Sequence, residues 1–312
     1  MFWNNNANRA ATCIVVACIL WATTGTAASF APSINPLAIG AFSMGIGGLL
    51  LLTYAHKVVF KERHKLAKQS ALLIAGGISV AIYPLAFYTS MKFSGVAIGT
   101  VVSLASAPFF SILFERLINQ KNISLLWVIS FVFGAVGVVL VTLGKQAHTE
   151  LNLDDNLQYL GVAPQYIGAF LGIVAGLAYA IYSWAAKQMI DKGISSNTSM
   201  ASMFSIAAVL LLPSLYFTGD NLFATQTNTA VSLYMAVIPM FIGYLLFGYG
   251  LRYIEASKAT LITLLEPVLA TLLAVVIVKE EFNTIGWVGM AFIAVCLVLQ
   301  MVRLPITIQV AT

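Results

Sequence analysis

Apolar residues form long runs separated by short polar connections along almost the whole chain. An α-helix rises about 1.5 Å per residue, so about 20 apolar residues cross a hydrocarbon core of roughly 30 Å. Ten runs reach about this length, at residues 9–29, 36–56, 69–90, 95–117, 123–144, 165–187, 198–218, 230–251, 257–278 and 284–303. The pattern predicts an all-α integral membrane protein with ten transmembrane helices.

The long polar stretch 145–164 divides these runs into two groups of five. The groups resemble each other, since Pro108 in the fourth run corresponds to Pro267 in the ninth. Because five is odd, the second group enters the membrane from the opposite side. We therefore predict two inverted five-helix repeats, residues 1–150 and 151–312, an organisation typical of secondary transporters. Such repeats place a binding site near the membrane midplane, here among runs 3, 4, 8 and 9, with runs 1 and 6 nearby.

Composition and charge agree with a membrane protein. The chain is 60% hydrophobic and 9% charged, whereas soluble domains carry roughly 25% charged residues. The net charge of +5 comes from Lys and Arg in the connections, so membrane topology explains it better than nucleic-acid binding. Placing the N-terminus inside puts 13 of the 16 basic residues in the cytoplasm, several of them in a basic loop at 57–68. The positive-inside rule predicts an inner-membrane protein with both termini cytoplasmic.

The residues that support enzymes and metal sites are scarce. The three cysteines lie inside apolar runs without a CxxC motif, and the three histidines are scattered over loops and one span end. No nucleophile has a plausible base beside it in the pattern. We expect no metal, no cofactor and no enzymatic activity.

The run Thr260–Lys279 contains Glu266 and Pro267 near its centre. A charged side chain there costs on the order of 2.5–3.5 kcal/mol on insertion scales, and proline removes a helix hydrogen bond. Both residues therefore favour a cavity over lipid. Glu266 could bind a substrate amine or cation, and it could carry a coupling proton, because a carboxyl group removed from water favours its neutral form. Alternatively, it accepts hydrogen bonds from a neighbouring helix.

Aromatic residues lie in several of the runs that we expect to surround the cavity. Such side chains can stack on a planar ring or contact an organic cation through their π faces. Interface belting or plain packing is the alternative for each of them. The predicted substrate-binding aromatics are Trp21, Tyr83, Phe87, Tyr179, Tyr182 and Tyr244.

Two hydroxyl residues join this set because of their neighbours. Ser103 lies near Pro108, and Thr263 lies one turn before Glu266. Serine and threonine more often bond to their own helix, which is the alternative here. Tyr88 lies nearer a span end and is predicted to belong to the interface belt.

Three segments resemble the drug/metabolite transporter superfamily in its ten-helix EamA-domain branch. They are ACILWATTGTAASF in the first run, ASAPFFSILFE in the fourth, and LLEPVLATLLAVVIVKEEFNTIGWVGM across the ninth and tenth. The resemblance implies translocation of a small-molecule substrate across a lipid bilayer by alternating access, with no ATPase. Members move amino acids, nucleotide sugars, quaternary amines and other metabolites.

This resemblance favours export of amino acids or related metabolites as the function. Glu266 among aromatic residues motivates the alternative, uptake of an organic cation such as a quaternary amine. Gly168, Gly172 and Gly176 form a small-residue ridge suited to close helix packing, within one chain or across a dimer seam. We therefore expect a monomer or a homodimer.

Overall fold

The computed structural model describes residues 5–144, 164–278 and 283–302, and all regular secondary structure in these ranges is helical. The polar stretch 145–163 and Glu280 lie outside the described residues. Eight helical segments are long and apolar enough to cross a membrane, and two shorter apolar stretches lie at Leu125–Val141 and Thr284–Leu299. The protein is therefore an all-helical, multi-pass membrane protein. That the two shorter segments also span stays a prediction.

We number the helical segments in chain order. The first half contains α1 (Asn5–Ser29), α2 (Pro36–Lys68), α3 (Ser70–Ser94), α4 (Gly99–Leu117) and α5 (Leu125–Gly144). The second half contains α6 (Pro164–Asp191), α7 (Ser196–Thr218), α8 (Gln226–Leu251), α9 (Ala256–Ile262, Leu265–Leu273 and Ala274–Val278) and α10 (Thr284–Val302).

Helices α3 and α4 form a tight antiparallel hairpin. The helical conformation is continuous over Ser70–Leu117, and residues eight apart in a straight helix would be separated by about 12 Å. A Cβ built on Gly99 would nevertheless lie 2.8 Å from the backbone nitrogen of Met91. The chain therefore reverses direction between these two residues, and only glycine leaves room for so close an approach.

The prediction of a basic loop at 57–68 is wrong, because this segment forms the last turns of α2. It contains no glycine or proline, and Lys, Glu, Arg, Leu and Ala all favour helix. Leu66 anchors it to the rest of the protein with only 6% of its surface exposed.

The end of the bundle where α2 ends carries exposed or partly exposed basic residues, including Lys65, Lys68, Lys121 and Lys192. We call it the basic end, and the other the opposite end. The ends of α2 and α4 meet the beginnings of α7 and α9 there, as contacts from Lys65 to Gly193 and from Lys121 to Glu255 show.

The glycine ridge on α6 is an internal packing surface. A Cβ on Gly168 would lie 2.5 Å from the Ser94 nitrogen in α3, and one on Gly176 would lie 2.6 Å from the Ser103 oxygen in α4. Small residues therefore let α6 approach the α3–α4 hairpin at backbone distance. This contact fixes the position of α6, whose Tyr179 and Tyr182 are buried in the bundle.

Candidate functional site

A cavity lies among α1, α2, α3, α6, α8 and α9. The space between its lining atoms measures about 560 Å³, a figure that includes open solvent at its mouth. The lining residues of α1, α2 and α3 lie toward the opposite end, those of α6 and α8 lie slightly past the middle of their helices toward the basic end, and Glu266 lies near the middle of α9. They are Trp21, Thr24, Gly40, Ser43, Met44, Tyr83, Pro84, Phe87, Tyr88, Tyr179, Tyr182, Met240, Tyr244 and Glu266.

Helix α9 is broken between Ile262 and Leu265, next to this cavity. In a regular helix the carbonyl of Thr263 would accept from the N–H of Pro267, which proline lacks. The N–H of Glu266 donates to Thr263 instead, at 3.0 Å. The carbonyl of Ile262 thereby loses its regular donor, and the Cys18 thiol lies 3.9 Å from it. Pro267 thus creates the break, and the helix restarts with Glu266 in its first turn.

The carboxylate of Glu266 makes no hydrogen bond or ion pair with any of the described residues. The side chain is partly exposed to the cavity. No other described residue that lines the cavity carries a charge. The first turn of a helix favours a negative charge, so the broken helix helps to hold this carboxylate in a largely apolar surrounding. The site therefore holds a carboxyl group that has no hydrogen-bonding or charged partner among the described residues.

Trp21 is fixed by a long-range contact with α8. Its indole nitrogen donates to the carbonyl of Pro239 at 2.9 Å, within the π-helical segment Ala236–Ile242. A Cβ on Gly243 would lie 2.6 Å from that nitrogen, so glycine is needed for the ring to fit. With its polar group satisfied, the Trp21 ring packs 4.9 Å from the ring of Tyr244 and presents its surface to the cavity.

Three tyrosines form a hydrogen-bonded wall on the α6 and α8 side. Tyr179 and Tyr182, one turn apart, stack with ring centroids 5.1 Å apart. The Tyr182 and Tyr244 hydroxyls lie 3.1 Å from each other, and Tyr179 donates to Thr263 at 3.1 Å. These hydroxyls therefore already have partners within the protein.

The facing wall on α3 has unused polar groups. The ring of Tyr83 stacks on Phe87 at 5.7 Å and contacts Tyr179 at 5.6 Å. The hydroxyls of Tyr83 and Tyr88 make no hydrogen bond to the part of the chain that the structure describes. They are available to a bound molecule.

Seven of the nine predicted site residues line the cavity, and Ser103 and Thr263 do not. Ser103 is fully buried against α6, and its hydroxyl donates to Gly99 at 2.7 Å. Thr263 lies behind the wall, where it accepts from Tyr179 and donates to Thr260 at 2.8 Å. Both hydroxyls are satisfied within the protein, the alternative that small hydroxyl residues usually follow.

Sequence reasoning missed the contribution of α2 and the position of Tyr88. Gly40, Ser43 and Met44 line the cavity from the first turns of α2, whereas no α4 residue does. A Cβ on Gly40 would lie 2.6 Å from the Tyr88 ring, so Tyr88 packs across α2 and lines the cavity rather than standing in an interface belt. The small residues at the start of α2 were the signal of this close approach.

The lining of the cavity combines aromatic rings with one carboxyl group. The described residues contain no group of three His, Cys, Asp or Glu side chains that could hold a metal ion. An aromatic enclosure with one free carboxylate can attract a cation by charge and by cation–π contact.

The chain matches the EamA-like transporter family over residues 8–143 and 166–302. It is 31% identical to "Uncharacterized transporter YwfM" of Bacillus subtilis over 279 residues, 89% of this chain and 88% of that protein. It is 24% identical to "Uncharacterized inner membrane transporter YedA" of Escherichia coli K12, covering 85% of this chain and 81% of that protein. A solved crystal structure superposes with a TM-score of 0.76 at 16% identity, covering 94% of this chain and 96% of that one, which shows a shared fold. The protein is a membrane transporter rather than an enzyme, and the chain belongs to the EamA-like transporter family.

Proposed function

We propose that the protein is a secondary active transporter that binds small organic cations at Glu266 and moves them by alternating access. The observation that carries this proposal is the free carboxylate of Glu266 in an aromatic cavity. A desolvated cation–π contact contributes about 2 kcal/mol or more, so the aromatic walls add affinity for the same charge.

Two substrate classes follow from the sequence, and the cavity favours one of them. An amino acid could place its ammonium group on Glu266, but its carboxylate would face only hydroxyl groups, such as those of Tyr83 and Tyr88. No described Lys or Arg lines the cavity to pair with it. Burying a carboxylate without a countercharge is costly. The cavity chemistry therefore supports a net cation over a zwitterion, and amino-acid export takes second place.

Glu266 also supplies a coupling mechanism. A proton and a cationic substrate neutralise the same carboxylate, so they compete for it and occupy it in turn. Such a transporter exchanges one for the other, and an inward proton gradient then drives the substrate outward. Membrane-embedded carboxylates are common in proton-coupled transporters.

The family matches at 8–143 and 166–302 support two homologous halves. We propose that they are inverted five-helix repeats with boundaries near 1–150 and 151–312, which makes α5 and α10 the fifth span of each. The basic end then faces the cytoplasm together with both termini, by the positive-inside rule. With this orientation, the α1, α2 and α3 walls of the cavity lie toward the outer side of the membrane.

Exchange in proteoliposomes tests the substrate class. Choline and glycine betaine share a trimethylammonium group, but only choline has a net positive charge. We expect exchange of choline or another monovalent organic cation, little exchange of glycine betaine or alanine, and loss of exchange in Glu266→Gln. Asp220→Asn, which removes an exposed carboxylate from the α7–α8 turn, is the matched control. Equal exchange of the zwitterions, or no exchange across a panel of organic cations, would contradict the proposal.

A further inference from the structure

Two further glutamates at the basic end connect the first half of the chain to the second. Glu115 near the end of α4 is only 3% exposed. It accepts from the backbone nitrogen of Ser257 at 2.9 Å and from the Ser257 hydroxyl at 2.7 Å. Ser257 is the second residue of α9, so this carboxylate holds the beginning of the helix that carries Glu266.

Glu62 repeats the arrangement between α2 and α7. Its carboxylate accepts from the backbone nitrogen and from the hydroxyl of Ser195, both at 3.0 Å. Ser195 caps α7. Lys65 strengthens the contact by donating to the carbonyl of Gly193 at 2.9 Å. In both places a carboxylate near the end of a helix in the first half accepts hydrogen bonds from a serine at the start of a helix in the second half.

The opposite end has a weaker counterpart. There Asn221 donates to the carbonyl of Ser33 at 2.9 Å, and Asn228 to the Ser33 hydroxyl at 3.0 Å. These are neutral hydrogen bonds, whereas those of Glu115 and Glu62 have an ionised acceptor, and charge-assisted bonds are the stronger kind. Among the described residues, the two halves are therefore joined more firmly at the basic end.

The break in α9 makes its first segment a separate unit. Ala256–Ile262 precedes the break, and Glu266 lies just after it. The segment is held at its start by Glu115 and by the neighbouring Lys121–Glu255 ion pair, and near its end by the Tyr179–Thr263 hydrogen bond. Of these three contacts, only the bonds to Glu115 are made by a residue inside the segment.

We propose that Glu115, assisted by Glu62, is the gate residue that keeps the cavity closed at the basic end. The gate opens when Ser257 leaves Glu115 and the segment Ala256–Ile262 swings away from α1. The break lies beside Glu266, so a change of occupant on that carboxylate acts on the hinge of this gate. The inference rests on the proposed function in taking the cavity as the transport path. Both glutamates are positioning residues, since neither lines the cavity.

A native cysteine reports on this gate without any substrate. Cys18 of α1 is fully buried against Ile262, under the cavity on the side of the basic end. Movement of the first α9 segment would uncover it. Ser232 of α8 is also fully buried, but it lies at the opposite end, where its hydroxyl donates to the carbonyl of Leu222 at 3.3 Å. A Ser232→Cys variant therefore serves as the control for general loosening of the fold.

The test measures the labelling rate of the purified full-length protein with a charged, water-soluble maleimide. One background keeps only Cys18 (Cys13→Ala, Cys296→Ala), and the other carries only the control cysteine (Cys13→Ala, Cys18→Ala, Cys296→Ala, Ser232→Cys). We expect Glu115→Ala to label Cys18 at least about tenfold faster, the change that about 1.4 kcal/mol produces. Glu115→Gln, which keeps an acceptor oxygen, should give an intermediate rate, and Glu62→Ala a smaller increase. Labelling in the Ser232→Cys background should not change.

Two results would overturn the gate. An unchanged Cys18 rate in Glu115→Ala would show that Glu115 does not hold this end closed. An equal rise at Cys18 and in the Ser232→Cys background would show that it only supports the fold. Neither readout uses a transported compound, so failure of the substrate proposal in the exchange assay is a separate outcome.

Discussion

Glu266 and Glu115 are two carboxylates inside one helical bundle, and their surroundings are opposite. Glu115 is almost fully buried and accepts two hydrogen bonds from Ser257. Glu266 is partly exposed to a cavity and has no partner among the described residues. Burial therefore does not distinguish a carboxylate proposed to bind substrate from one proposed to position a helix. The two differ in whether the carboxyl group already has a hydrogen-bonding or charged partner within the protein. A desolvated charge without such a partner requires one from outside the protein.

Substitutions of Glu266 and of Glu115 should differ most in their effect on substrate affinity. Glu266→Gln should weaken cation binding by roughly 30-fold or more, because truncating one partner of a buried charge pair costs about 2–5 kcal/mol. Equilibrium exchange in proteoliposomes should fall accordingly, while thermal stability stays equal to or above that of the wild type. Normal binding and exchange of organic cations by this variant would show that Glu266 has no role in the mechanism.

Loss of the Glu115 side chain should lower the stability of the fold more than loss of the Glu266 charge. Glu115→Ala should lower the free energy of unfolding by about 1.5–3 kcal/mol, the range for a hydrogen bond to a charged group. A double-mutant cycle of Glu115→Ala with Ser257→Ala should give non-additive losses because the residues share the contact, whereas Glu266→Gln with Ser257→Ala should be additive. Thermal or denaturant unfolding in detergent measures both cycles. Additive losses for the first pair would show that the bond is not formed.

Two tyrosines of the cavity also differ in whether the hydroxyl group has a partner within the protein. Tyr179 donates to Thr263, whereas the Tyr83 hydroxyl has no partner in the described ranges. Tyr179→Phe should therefore cost about 1 kcal/mol of stability, and Tyr83→Phe should leave stability unchanged but weaken binding of cations that carry a hydroxyl group. Melting temperatures with and without choline measure both effects. A stability loss in Tyr83→Phe would reveal a hydrogen bond within the protein.

The smallest effect is expected for Ser103→Ala. Its hydroxyl donates to Gly99 of its own helix, its backbone carbonyl faces Gly176 of α6, and it does not line the cavity. Exchange should change by less than about twofold, since the site loses no group that a substrate contacts. A large loss of exchange with normal stability would show that α4 contributes to the binding site.

Local patterns explain how much of this site was predictable. Apolar runs predicted the helical segments, and helical spacing placed Tyr83 with Phe87 and Tyr179 with Tyr182 on shared faces. Glu266 was conspicuous because charge is rare in apolar runs. Ser103 and Thr263 were misplaced because the direction of a buried hydroxyl depends on which helix packs beside it.

Long-range contacts were not predictable from the sequence. The Glu115–Ser257 and Glu62–Ser195 bonds join residues more than a hundred positions apart, and nothing in their local sequence marks a partner. The exact position of the break in α9 depends on which donors bond to the carbonyls that Pro267 frees. The sequence indicated only that a break lies near Pro267. The charges of the segment 57–68 indicate a boundary of the membrane and so predict a loop, whereas its helix-favouring residues continue α2 beyond that boundary.

The most direct test of the account is a binding titration of a quaternary ammonium cation to the purified protein. It compares the wild type, Glu266→Gln and Glu115→Gln by calorimetry. Saturable binding should be lost in Glu266→Gln and retained in Glu115→Gln, because only the free carboxylate of the cavity provides the negative charge. Equal binding by the wild type and Glu266→Gln would contradict the claim that Glu266 is the cation site.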